Sequence, residues 1–146
     1  MNKSKLVLVL LPFLAGNPVF AKSPTFKKLL CSNVIGSNLL VTADSARVDL
    51  VLRDESGAVL IKGSFHPASC IFGVGFSIDL SCDSPDLSVH ISRAQKASAG
   101  GAVYSDVSVR MATQTSGFEH RETFSTRKVD YGKVGSCRID DGFEVY

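Results

Sequence analysis

The feature that most restricts this chain is a strict alternation of apolar with small or polar residues, clearest in residues 72–82, FGVGFSIDLSC. Phe72, Val74, Phe76, Ile78, Leu80 and Cys82 hold one set of alternate positions, against Gly73, Gly75, Ser77, Asp79 and Ser81. Successive side chains of a β-strand point to opposite faces, so a period of two puts the apolar groups on one side. The pattern recurs. Val48, Leu50 and Leu52 alternate with Arg47, Asp49, Val51 and Arg53; Val59, Ile61 and Phe65 with Lys62 and Ser64. Leu87, Val89 and Ile91 oppose Ser88, His90 and Ser92, and Val103, Val107, Val109 and Met111 oppose Tyr104, Asp106, Ser108 and Arg110. Weaker strands are predicted at 29–32, 39–43, 118–126 and 134–139. Turn-forming residues gather at Gly36-Ser37-Asn38, Asp54-Glu55-Ser56-Gly57, Ser116-Gly117 and Asp140-Asp141-Gly142. No helical period of any length competes. About eight or nine short strands at near-regular spacing predict an all-β, single-domain antiparallel β-barrel or β-sandwich.

Residues 1–21 have the anatomy of a cleaved secretory signal peptide: Lys3 and Lys5, the apolar run Leu6–Ala15, a break at Gly16-Asn17-Pro18, and Ala21 at the cut. Spanning a bilayer takes about 20 apolar residues, and this run holds ten. No stable membrane anchor is therefore expected after cleavage, and Asn17 stands where a lipid-anchored form would need cysteine. The expected mature protein is one all-β domain, 22–146, exported to a bacterial periplasm or to the extracellular space.

The full chain carries 16 basic and 14 acidic residues. Removing Lys3 and Lys5 leaves 14 of each, so the mature chain is formally neutral. That balance argues against nucleic acid as a partner. All four cysteines, Cys31, Cys70, Cys82 and Cys137, follow the cleavage point, and an even count in an exported chain predicts two disulfides. Their smallest spacing, 12, does not suit a four-cysteine zinc site. If residues 71–81 are one strand, Cys70 and Cys82 sit about 40 Å apart at about 3.3 Å per residue. Bridged Cα atoms need about 4.4–6.8 Å. The expected pairing is therefore Cys31 with Cys70 or Cys82, and Cys137 with the other, with Cys70–Cys82 disfavoured.

Chemistry-bearing residues are sparse. With Asp83-Ser84-Pro85-Asp86 as a four-residue loop, Asp79 falls opposite His90, with Ser88 and Ser92 on the same face. This would supply the parts of a Ser-His-Asp group, but the polar face of a flat hairpin supplies neither an oxyanion site nor shelter from water. No G-x-S-x-G elbow is present. No catalytic residues are assigned. His66, His90 and His120 are too scattered for metal ligands, so neither a metal nor a cofactor is expected. Two segments suit binding: the small-residue loop 94–106, AQKASAGGAVYSD, with Tyr104 at its exit, and 117–131, GFEHRETFSTRKVDY, read as a charged edge strand. The candidate binding residues are Gly100, Gly101, Tyr104, Arg110, His120 and Arg121.

An exported β-domain with an early cysteine-bearing strand and a Gly-x-x-Tyr loop before another strand resembles the bacterial periplasmic inhibitors of C-type lysozyme. The stretch here is Gly101-Ala102-Val103-Tyr104. That family has a serine before the glycine and a lysine beyond the tyrosine, both used against the lysozyme cleft. This chain has Gly100 and Gln114 at those places, so the resemblance implies a similar barrel without the usual inhibitory residues. The expected function is surface binding of another protein, as an inhibitor or interaction module, and not catalysis. Two further readings are a barrel holding a small apolar ligand among Phe72, Phe76 and Met111, and a small hydrolase using Asp79 and His90.

Overall fold

The computed structural model describes residues 24–73, 78–127, 135–140 and 143–144. The expected leader, its cleavage point and Phe76 lie outside them. Eleven strands lie among the described residues: β1 Lys28–Ser32, β2 Asn38–Ala43, β3 Val48–Arg53, β4 Val59–Phe65, β5 Cys70–Phe72, β6 Leu80–Asp83, β7 Leu87–Ala97, β8 Val103–Thr113, β9 Glu119–Ser125, β10 Ser136–Ile139 and β11 Phe143–Glu144. They form two antiparallel sheets, one ordered β11-β10-β1-β2-β3-β4 and the other β5-β6-β7-β8-β9. The sheets are not closed into a barrel but pack as a sandwich. That settles the architecture left open by the alternation, and it corrects the barrel implied by the lysozyme-inhibitor resemblance.

The alternation builds the core directly. Leu39 and Val41 of β2, Val48, Leu50 and Leu52 of β3, and Val107, Val109 and Met111 of β8 all point inward. Together with Phe72, Leu80, Val89, Ile91 and Phe124 they make one hydrophobic cluster drawn from both sheets. Phe72 and Met111 are fully buried within it, and Phe26 meets the Phe72 ring edge-on at 5.9 Å. Near the β9 side the sheets approach closely. A Cβ added at Gly135 would lie 2.2 Å from the Ser125 carbonyl oxygen, so no side chain fits there.

Three expectations are corrected by the strand pairing. Residues 71–81 are not one strand: β5 and β6 pair antiparallel, with Cys70 opposite Cys82. The chain reverses between them, and the disulfides are Cys70–Cys82 and Cys31–Cys137, each with a Cα separation of 4.1 Å. Both join directly opposed residues of neighbouring strands, Cys31 of β1 facing Cys137 of β10. Secondly, the β6–β7 hairpin is tighter than the four-residue loop allowed. Ser84 closes it by donating its N–H to the Leu87 carbonyl at 2.9 Å, leaving Pro85-Asp86 as a two-residue turn. The register moves by two residues, so Ser81, and not Asp79, opposes His90. Asp79 instead accepts a hydrogen bond from the Arg93 N–H at 3.0 Å. Thirdly, most of 94–106 is not loop: β7 and β8 pair out to Ala97 and Val103.

Candidate functional site

The expected binding residues fall into four places. Gly100 and Gly101 form the tip of the β7–β8 hairpin, where Ser98 donates to the Ala102 carbonyl at 2.9 Å. Gly101 has φ +80°, a left-handed conformation that favours glycine. Tyr104 lies on the outer face of the five-stranded sheet, opposite Lys96, with the Arg127 guanidinium carbon 5.6 Å from its ring centroid. His120 stands apart on the inward side of the edge strand. Its Nε2 lies 3.3 Å from Glu122 Oε2, and Phe118 stacks on its ring. Glu122 in turn accepts from Asn33 Nδ2 at 2.7 Å, tying the edge of one sheet to the β1–β2 turn of the other.

Arg110 and Arg121 are brought together. Val107, Val109 and Met111 of β8 point into the core, which sends Ser108 and Arg110 outward. The pairing sets His90, Arg110 and Arg121 in one lateral row across β7, β8 and β9. Ser92, Ser108 and Thr123 form the neighbouring row. Side chains stand roughly perpendicular to a sheet, so two arginines and an imidazole rise as a wall beside a floor of short hydroxyl side chains. The step between them forms a hollow of about 240 Å³ lined by these residues together with Val109 and Glu122.

Glu119 organises the wall. It faces outward one row beyond Arg110 and Arg121 on the same sheet, and its Oε1 accepts from Arg121 Nε at 2.5 Å and Arg110 Nε at 3.0 Å. Those bonds, Arg121 first and Arg110 second, hold its carboxyl below the ordinary glutamate range. On the far side of the floor, Asp106 is paired with Lys96 at 2.5 Å. The Lys96 ammonium, and after it the Ser125 hydroxyl, lowers the Asp106 pKa; the same contact raises that of Lys96.

The alternation alone did not pick out Ser108, Thr123 and Glu119, and it offered His90 and Ser92 only as parts of a catalytic group. The signal that joins them is hairpin register. A β8–β9 turn centred on Thr115-Ser116 places Arg110 against Arg121 and Ser108 against Thr123. Among the described residues no group of three or more His, Cys, Asp or Glu side chains is placed to hold a metal ion.

The outer face of the six-stranded sheet differs. Its row Arg138, Leu30, Leu40, Val51 and Lys62 is apolar at the centre. These three aliphatic side chains are partly exposed and lie between the charged Arg138 and Lys62. The chain matches no protein-family model, no curated protein and no solved structure.

Proposed function

We propose that this protein is an exported, non-enzymatic binding domain that engages another protein through the outer face of β7, β8 and β9. The observation that carries the reading is the hollow beside Arg110 and Arg121, a concave site across three hydrogen-bonded neighbouring strands, β7, β8 and the edge strand β9. A rigid sheet holds recognition groups with little entropy left to lose on binding, which suits an inhibitor or interaction module. Two disulfides in a small domain support export, because such bridges persist in oxidising compartments such as the periplasm or extracellular space. The absence of an Asp79–His90 pairing in the β6–β7 ladder weighs against the hydrolase reading.

The test is capture from the native exported fraction with mature protein as bait, followed by mass identification. Ser108→Tyr places a ring in the hollow without touching the core, and it should abolish retention of the captured partner while leaving the unfolding midpoint unchanged. A partner held equally well by wild type and Ser108→Tyr would overturn this assignment of the surface.

A further inference from the structure

We infer that the hollow receives one carboxylate side chain, from an extended acidic segment of the partner protein. This rests on the proposed use of that sheet face and adds the chemistry of what it recognises. The argument begins with charge. Glu122 also lines the hollow, but its carboxylate turns to Asn33 and His120 on the inner side of β9, so at the outer rim two guanidiniums face the single Glu119 carboxylate and one positive charge is left over. Glu119 occupies Nε and Nη2 of Arg110 and Nε of Arg121. Among the described residues the remaining guanidinium nitrogens, Nη1 of Arg110 and both terminal nitrogens of Arg121, make no hydrogen bond. A guanidinium presents its donors in a planar fork that matches a carboxylate. Glu119 thus fixes two such forks side by side and leaves their outer prongs available.

The floor completes the site. Ser92, Ser108 and Thr123 carry hydroxyls that no other described residue engages, and each can donate to a carboxylate oxygen or accept from a partner's backbone N–H. Three neighbouring strands span about 10 Å at about 4.8 Å per strand, the length of about three extended residues. The size and charge of the site favour one acidic side chain over a polyanion. Nucleic-acid binding rests on several neutralised phosphates, whereas the mature chain is formally balanced and this rim has one spare charge.

The test uses ¹⁵N-labelled mature, oxidised protein titrated with the peptide acetyl-Ser-Glu-Ser-Glu-Ser-amide, its glutamine counterpart, and an oligosaccharide of glucuronic acid. The expected result is saturable amide shifts at Ser92, Ser108 and Thr123 with the glutamate peptide alone. Arg110→Gln/Arg121→Gln should weaken that binding at least tenfold while leaving the spectrum folded. An equal response to the glutamine peptide, an unchanged affinity in the double variant, or a response confined to the uronate would overturn the inference. Partner retention separates it from the reading beneath it. If Ser108→Tyr releases the captured partner and Arg110→Gln/Arg121→Gln does not, the acidic segment is refuted and the surface assignment stands. If neither variant releases it, both fall.

Discussion

The two disulfides offer a matched comparison. Cys31, Cys137, Cys70 and Cys82 are all buried in the same core, and both bridges join opposed residues with a Cα separation of 4.1 Å. The local cost of replacing a half-cystine pair with alanine should therefore be similar at the two sites. They differ in the chain they close, 106 residues for Cys31–Cys137 and 12 for Cys70–Cys82. In the chain-entropy description a cross-link stabilises by restricting the unfolded state, and its worth grows with the logarithm of loop length. The longer loop is then worth about 4.7 kcal/mol and the shorter about 3 kcal/mol. Local costs cancel in the difference, leaving Cys31→Ala/Cys137→Ala about 2 kcal/mol less stable than Cys70→Ala/Cys82→Ala. A small domain holds only about 5–15 kcal/mol in total, so this gap is measurable. Urea unfolding of the oxidised mature proteins at neutral pH provides it by linear extrapolation. Equal losses, or a larger loss for the short bridge, would refute the loop-entropy reasoning. Non-reducing peptide mapping that found Cys31 bonded to Cys70 or Cys82 would refute the connectivity itself.

Three other outcomes follow from the packing and electrostatics. Ile91→Ala opens a cavity beneath the five-stranded sheet and should cost about 2–5 kcal/mol, while outward-facing His90→Ala should stay within about 0.5 kcal/mol; urea unfolding of the two checks which face is inside. Gly135→Ala drives a methyl group into the Ser125 carbonyl, which has no flexible side chain to yield, and should cost about 1–3 kcal/mol in the same assay. Asp106 has a folded pKa below its unfolded value, so its contribution is complete above about pH 4 and fades as pH falls through the depressed folded value. Asp106→Asn should accordingly trail wild type by less than about 1 kcal/mol at neutral pH, since Lys96 is half exposed, and the gap should narrow as the pH is lowered below about 4.

The sandwich was largely legible because period two assigns each residue to a face without any knowledge of pairing. Val48, Leu50 and Leu52, and likewise Val107, Val109 and Met111, are buried as their spacing requires. Pairing is harder, since alternation carries no mark of where a chain turns back. Phe72, Leu80 and Cys82 keep the same inward phase whether residues 72–82 run straight or fold into a hairpin, and only Gly73 and Gly75 hinted at the reversal. The Asp79–His90 expectation failed in a related way. A shift of two residues preserves every face and changes every partner, so the serines and His90 stayed outward while His90 exchanged Asp79 for Ser81. The arginine wall needed the β8–β9 register, and its concavity comes from the difference in side-chain length between adjacent rows, which no single strand displays.

The most direct measurement of the proposed binding surface is site-specific photo-crosslinking in the native exported fraction. One variant carries the photoreactive residue at Ser108, on the floor of the hollow, and the other at Thr42, which β2 sends to the outer face of the opposite sheet. The account predicts a discrete covalent adduct at Ser108 and none at Thr42. An adduct at Thr42 alone, or equal labelling at both positions, would contradict it.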